Sequence, residues 1–265
     1  MGDPTYTPVK LEIEGLGITV GIDIDAGDNI YVANRKSKRI LRLPASGPIE
    51  TLPIDGLVDP YGVKVDDAGR ILVADYGQHQ VIRFDPSTGN REVLGFTDLR
   101  FPSDVAVDAE GRILAVDSGH YRVVRLSSSG EQEALGTTEI RGIHGIALDS
   151  SGTIYVTQKG AGPEGVFKYG PDGEPTKFAT YGLDGPAGIV IGRDGTIYVA
   201  NGGQAQHSST IARFKPDGTR LTPIKTCEPL SGEPCVMRPL AIALDSAENI
   251  TAIGYQPEAI RLIKN

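Results

Sequence analysis

Six copies of one sequence unit follow one another along almost the whole chain of 265 residues. Each copy reads as a short apolar strand, an Asp/Gly turn, a second strand rich in Ile, Tyr and Val, a polar loop, and a third strand with a basic residue. The first-strand and second-strand anchors are eight residues apart in every copy: Ile22 and Ile30, Val63 and Ile71, Val105 and Ile113, Ile146 and Ile154, Ile189 and Ile197, Ile242 and Ile250. A unit of this kind buries its faces only by packing against its neighbours.

The repeat predicts an all-β protein. A short fourth strand can follow the third, for example at residues 92–94 and 176–178, so each unit is expected to form a four-stranded antiparallel meander. Six units predict a six-bladed β-propeller that takes up residues 1–265 as a single domain. The sixth unit stops after its third strand, whereas an extra strand candidate, Val9 to Ile13, precedes the first unit. We therefore expect the N-terminal strand to complete the last blade and close the ring.

Charge and composition narrow the classes of partner. The chain has 34 acidic and 26 basic residues and a net charge of -8, which disfavours binding to nucleic acid or anionic membranes. No apolar run is long enough for membrane insertion. We expect a soluble monomer. Cys227 and Cys235 predict a local disulfide, which would favour a secreted or extracytoplasmic location, although two free thiols in a cytosolic protein are the alternative.

The sequence motifs within the repeat resemble those of the NHL-repeat family. Its PxGIAVD first strand is matched by residues 60–66, 102–108, 143–149 and 239–245, and its IYVAD second-strand ending by Ala74-Asp75 and Val116-Asp117. Residues 99–126, LRFPSDVAVDAEGRILAVDSGHYRVVRL, are similar to the extracellular sensor propeller of actinobacterial membrane-anchored Ser/Thr kinases. That resemblance implies a recognition module for a small molecule, peptide or envelope component. The absence of Trp excludes a WD40 propeller, and a single Gly-Gly pair argues against kelch repeats.

Lengthened loops indicate where a ligand should bind. In an antiparallel meander the second-to-third loops and the blade-to-blade loops share one face, here called the top. The three longest, residues 158–165, 201–210 and 225–237, all lie on the top of blades four to six. Because binding residues concentrate on loops carried by rigid scaffolds, this rim is the predicted ligand site. The candidate ligand-binding residues are Arg35, Lys159, Glu164, Gln204, His207 and Tyr255.

Three residues at the start of the first strands are candidates for catalysis. Tyr61 and His144 occupy the position after the usual proline, and Asp104 replaces a glycine at the next position. An alternative function is therefore a lyase, lactonase or cyclase in which His144 acts as general base or metal ligand, assisted by Asp104, Tyr61 or Lys159.

Resemblance to two propeller enzymes leaves a metal cofactor open without predicting one. In peptidylglycine amidating lyases, histidines at the position of His144 on several blades hold zinc, and this chain has that histidine on one blade only. Lactonases similar to regucalcin hold calcium with Glu and Asn/Asp residues, which Asp104 with Asn34 or Asn201 would match in part. Zinc or calcium at His144 or Asp104 is thus an open possibility.

Overall fold

The computed structural model describes most of the chain: residues 3–137, 139–160, 164–170, 172–203, 209–227, 234–256 and 258–265. Within these ranges no helix is long and apolar enough to cross a membrane. The described residues form six four-stranded antiparallel sheets, which are the blades of a propeller.

Each blade is one copy of the repeat. Blade one comprises β2 (Thr19–Ile24), β3 (Ile30–Asn34), β4 (Arg39–Leu43) and β5 (Glu50–Thr51). Blade two comprises β6 (Pro60–Val65), β7 (Ile71–Asp75), β8 (Gln80–Asp85) and β9 (Asn90–Val93). Blade three comprises β10 (Pro102–Val107), β11 (Ile113–Asp117), β12 (Arg122–Leu126) and β13 (Gln132–Leu135). Blade four comprises β14 (Ile143–Leu148), β15 (Ile154–Gln158), β16 (Gly165–Tyr169) and β17 (Pro175–Ala179). Blade five comprises β18 (Pro186–Ile191), β19 (Ile197–Asn201), β20 (Thr210–Phe214) and β21 (Arg220–Lys225).

Blade six joins the two ends of the chain, as predicted. It comprises β22 (Pro239–Leu244), β23 (Ile250–Gly254), β24 (Ala259–Lys264) and the N-terminal β1 (Tyr6–Leu11), which pairs antiparallel with β24 from Tyr6↔Lys264 to Leu11↔Ala259. The closing strand begins three residues earlier and ends two residues earlier than the predicted Val9 to Ile13. The predicted ring of six blades is therefore confirmed, with both ends of the closing strand shifted.

The second strand of each blade explains why the repeat is so apolar. All five residues of every second strand are buried, since a neighbouring blade covers each face of the sheet. The core lies between blades. For example, Tyr31 and Ile40 of blade one pack with Ile71 and Val73 of blade two.

The constant spacing of eight residues reflects a tight turn on the bottom face. In blade two the Asp66 carboxylate accepts hydrogen bonds from the amides of Ala68 and Arg70, and Gly69 adopts the left-handed conformation with φ 75°. These turns shape the scaffold and contribute no side chain to the top face.

Glycines bring the first strands close together around the central channel. A Cβ at Gly21 would overlap the carbonyl oxygen of Tyr61, and one at Gly62 would lie 2.7 Å from the Cα of Asp104. The channel encloses about 250 Å³, and its charged lining residues are Asp23, Lys64 and Asp104. The starts of the first strands therefore form the mouth of this channel on the top face.

Candidate functional site

In blades one to five the polar residue that ends the second strand holds the neighbouring blade-to-blade loop, whereas blade six has Gly254 at this position. In blade two the fully buried Asp75 carboxylate accepts hydrogen bonds from the amides of Val58 and Asp59, both at 2.9 Å. Asp117 does the same for the amide of Arg100, and Asn201 for that of Asp184. The polar residue that ends the IYVAD motif thus positions the loop from which top-face side chains project.

Asp59 in turn fixes Arg35. The Asp59 carboxylate accepts two hydrogen bonds from the guanidinium, 2.6 Å from Nε and 2.8 Å from a terminal nitrogen. This bidentate pair holds the guanidinium over the ring of Tyr61, with Cζ 4.5 Å from the ring centroid. Asp75, Asp59, Arg35 and Tyr61 therefore form a continuous chain of contacts from a buried strand end to the channel mouth.

Aromatic rings line the mouth beside Arg35. Tyr61 stacks on Tyr76 with centroids 4.9 Å apart, and Tyr76 lies 4.9 Å from Phe101. The ring of His144 meets Tyr61 edge-on at 5.7 Å. We call these five residues, Arg35, Tyr61, Tyr76, Phe101 and His144, the mouth cluster. All five are partly exposed, which leaves part of each side chain accessible to a ligand.

His144 is uncharged at neutral pH. Burial lowers its pKa first, and the positive charges of Lys159 and Arg35 lower it further, to about 4. Burial raises the pKa of the Tyr61 hydroxyl, against the effect of Arg35. The mouth thus combines neutral rings with two nearby cations, Lys159 and Arg35, of which Arg35 is paired with Asp59.

Further cations lie on the side of blades four to six. Burial and the charge of Arg238 lower the pKa of Lys159, while Glu164 and Asp184 act in the opposite direction. The Glu164 carboxylate accepts hydrogen bonds from the amides of Gly160, at 2.9 Å, and Gly185. It therefore supports two loops, and its negative charge also favours the protonated form of Lys159.

Of the candidate residues that the structure describes, Tyr255 is the most exposed, at 46%. The guanidinium of Arg238 lies over its ring, 4.8 Å from the centroid. Arg238 also has a positive φ of 52°, as does Phe101. A bulky residue rarely adopts this conformation, and such residues concentrate at functional sites.

Asp104 lies in the channel below the mouth cluster. Its carboxylate accepts hydrogen bonds from the amides of Val105, at 2.9 Å, and Ile146, at 3.0 Å. Burial raises its pKa to about 7, against the effects of these amides and of Lys64. Lys64 itself bonds to Asp23 at 2.9 Å. Asp104 therefore ties blade three to blade four and has no contact with the His144 ring among those the structure shows.

The two asparagines considered as calcium ligands, Asn34 and Asn201, make hydrogen bonds to loop backbone instead. The side-chain amide of Asn34 donates to the carbonyl of Gly15, and its oxygen accepts from the amide of Ser37. Asn201 holds the loop before blade five. Within the described ranges no three His, Cys, Asp or Glu side chains lie close enough to share a metal ion. The structure thus does not assemble Asp104 with either asparagine, because both asparagines serve as loop anchors.

The remaining predicted positions fall on the loop before blade six and the blade-five loop. Cys227 and Cys235 are joined by a disulfide, with Cα atoms 4.4 Å apart. Gln204 and His207 lie outside the described residues.

Sequence reasoning missed Tyr76, Phe101, Asp59 and Arg238. A signal for Tyr76 is present in the repeat, because it occupies the same position as Arg35 and Lys159, directly after a second strand. Aligned across the blades, that position holds Arg35, Tyr76, Ser118, Lys159, Gly202 and Tyr255. The other three lie one residue before a first strand, an aligned position at which the residue type varies without pattern: Ile18, Asp59, Phe101, Gly142, Gly185 and Arg238.

Comparison with known proteins supports the repeat assignment. A profile of the NHL repeat matches residues 99–126. A search of curated proteins found no match.

Solved structures show the same fold over the whole chain. A gluconolactonase from Xanthomonas campestris is 18% identical, with a TM-score of 0.78, and the match covers 100% of this chain and 98% of the other. A virginiamycin B lyase from Staphylococcus aureus is 16% identical, with a TM-score of 0.70 and coverage of 98% and 99%. A PQQ-bound aldose sugar dehydrogenase from Streptomyces coelicolor is 14% identical, with a TM-score of 0.71 and coverage of 99% and 100%. At these identities the likeness establishes the fold.

Proposed function

We propose that this six-bladed β-propeller, which carries an NHL repeat, is a recognition module that binds a small cyclic carboxylate at its channel mouth. The observation that carries the proposal is the mouth cluster, a partly exposed set of stacked rings with a fixed arginine above it. A flat ring or the C–H face of a sugar packs well on such rings.

Charge favours an anion in this position. The positive charges of Arg35 and Lys159 depress the pKa of His144, and Lys159 and Arg238 repel each other's protonated forms. A carboxylate placed between Lys159 and Arg238 would relieve this repulsion and form charge-assisted hydrogen bonds with both side chains. The proposed site therefore adjoins the predicted rim of blades four to six through Lys159 and extends across the mouth to blade one.

The structural relatives favour a sugar acid as the ligand class. One is a gluconolactonase and another an aldose sugar dehydrogenase, so this fold accommodates sugars in proteins of similar length. We take glucuronate as the probe and glucose as its neutral counterpart, since the two differ only by a carboxylate in place of a hydroxymethyl group.

Calorimetric titration of the protein with both probes tests the proposal. We expect glucuronate to bind at least about 10-fold more tightly than glucose, because the carboxylate gains charge-assisted hydrogen bonds. Tyr61→Ala and Lys159→Gln should each weaken glucuronate binding. Tyr181→Ala is the matched control, because Tyr181 is 80% exposed and carries Arg220 over its ring at 5.4 Å, outside the mouth cluster.

Two results would contradict the proposal. One is equal affinity for glucuronate and glucose, which would show that the ligand carboxylate contributes nothing to binding. The other is an equal effect of Tyr61→Ala and Tyr181→Ala, which would remove the role of the mouth cluster.

A second candidate is a lyase, lactonase or cyclase in which His144 is the general base. The neutral imidazole beside Tyr61 favours it, since a base must be unprotonated to accept a proton. A pKa of about 4 also makes that imidazole a weak base at neutral pH, and we therefore place recognition first. Hydrolysis of gluconolactone above its spontaneous rate, lost in His144→Ala, would decide for the enzyme.

A further inference from the structure

Each copy of the repeat has a basic residue at the same position of its third strand. In blades one to three this arginine pairs with a glutamate directly opposite on the outer strand: Arg42 with Glu50, Arg83 with Glu92, and Arg125 with Glu133. In blade five the basic residue is Arg213, and the residue opposite is Leu221. Blade five thus retains the cation of the repeat and lacks its acidic partner.

Arg213 is also the most deeply buried arginine of this set. Its side chain is 6% exposed, against 33% for Arg42 and 27% for Arg83. One terminal nitrogen donates to the carbonyl of Thr222 at 3.2 Å, and the other lies 3.5 Å from the carboxylate of Asp3. Its Nε has no hydrogen-bond partner among the described residues, as is also true of Arg42.

A buried guanidinium is stable only when its charge is paired and its N–H groups are used. The contact with Asp3 is longer than a normal charge-assisted hydrogen bond, and Asp3 is about half-exposed at 47%. Among the residues that the structure describes, the charge of Arg213 is therefore only partly compensated.

A pocket of about 410 Å³ opens beside Arg213, between β21 of blade five and β1 of blade six. The pairing of β20 with β21 shifts between Ile211 and Arg213, so the outer strand is irregular at this point. The other walls include the apolar residues Pro8, Pro223, Ile224 and Leu262, together with Lys225 and the threonines Thr5, Thr222 and Thr226. The pocket lies at the outer edge of the ring, apart from the mouth cluster.

We propose that this pocket binds a small monocarboxylate with an apolar body. The ligand carboxylate would take the position on Arg213 that a glutamate occupies in blades one to three and that Asp3 approaches from the N-terminal segment. A guanidinium matches the two oxygens of a carboxylate, and the proline and aliphatic walls accommodate the body. The inference is independent of the function proposed for the mouth.

Titration of the ¹⁵N-labelled protein with hexanoate and with hexanamide, its neutral counterpart of the same shape, tests the site. We expect hexanoate to bind at least about 10-fold more tightly than hexanamide, because its bonds to Arg213 are charge-assisted. The largest chemical-shift changes should lie at Ile224 and Leu262. Arg213→Gln should remove the preference for hexanoate, whereas the matched control Arg83→Gln should leave it unchanged.

Two further variants test the mechanism with Arg213 in place. Asp3→Asn removes the competing carboxylate and should tighten hexanoate binding. Leu221→Glu introduces into blade five the glutamate that lies opposite the arginine in blades one to three. The new carboxylate should pair with Arg213 and weaken hexanoate binding at least about 10-fold. These variants decide the question even if Arg213→Gln does not fold.

Equal affinity for hexanoate and hexanamide, or no detectable binding of hexanoate, would overturn the proposal. So would shifts confined to the mouth cluster, or hexanoate binding unaffected by Leu221→Glu. Inorganic phosphate binding as tightly as hexanoate would overturn the role of the apolar walls.

Discussion

Substituting His144 by glutamine should flatten the loss of stability that the protein undergoes as the pH falls from 6.5 to about 4. In the folded state burial, followed by the charges of Lys159 and Arg35, lowers the pKa of His144 from 6.5 to about 4. The unfolded chain therefore binds a proton first as the solution is acidified. The contribution of the neutral imidazole to stability is complete above pH 6.5 and is lost progressively down to about pH 4.

The size of the effect follows from that difference. At about 1.4 kcal/mol for each pH unit, a pKa lowered from 6.5 to about 4 corresponds to about 3 kcal/mol of unfolding free energy. His144 is partly exposed, and screening by water reduces the expected effect to about 2 kcal/mol.

Urea denaturation of both proteins, at intervals from about pH 4 to about pH 7.5, measures the difference. Asp104 titrates in the opposite sense. Its pKa is raised from 3.8 to about 7, so its contribution is complete below pH 3.8 and falls as the pH rises to about 7. Because both proteins contain Asp104, its contribution cancels when the two curves are subtracted.

An NMR titration of the imidazole provides an independent check, since His144→Gln identifies the resonance by its absence. Lys159→Gln should raise the pKa of His144 toward 6.5, because it removes one of the charges that lower it. Parallel stability curves, together with a measured pKa above about 6, would refute the argument that burial and the charges of Lys159 and Arg35 lower the pKa of His144.

Three further predictions concern the scaffold. Deleting residues 1–14 removes β1 and leaves β24 paired with β23 alone, as an exposed edge strand, so the melting temperature should fall by more than about 10 °C; unchanged melting would refute the ring closure. Asp75→Ala leaves the amides of Val58 and Asp59 without an acceptor and should lower the free energy of unfolding by about 2–4 kcal/mol in urea denaturation, against less than about 0.5 kcal/mol for the exposed Asp67→Ala. Replacing Cys227 and Cys235 together by serine should lower it by about 2–3 kcal/mol, and an equal stability of the two proteins would show that this disulfide does not restrict the unfolded chain.

The architecture was predictable because each local pattern in a blade agrees with the global fold. The spacing of eight residues between anchors such as Val63 and Ile71 sets the first two strands and the turn between them. The closing strand was displaced from Val9–Ile13 to Tyr6–Leu11 because its end is set by pairing with β24, which the sequence of β1 does not reveal. Strand boundaries of this kind depend on a partner that is distant in sequence.

The candidate site was predictable only in part. Arg35, Tyr61, His144 and Lys159 occupy repeat positions that can be aligned, and the structure brings all four to the channel mouth or its edge. Asp59 and Phe101 could not be found in this way, because their roles arise from an ion pair and a ring contact between successive blades. Asn34 and Asn201 resemble metal ligands by type, yet tertiary contacts use them as loop anchors.

The sequence by itself determined the repeat, the number of blades, the buried second strands and the face on which the loops gather, since these depend on periodicity and local turn chemistry. Only the tertiary structure decided which side chains meet at the mouth and which charges remain incompletely paired. Arg213 shows the difference, because the repeat predicts its cation, whereas the missing acid, the irregular outer strand and the pocket beside it become visible only when blades five and six are packed together.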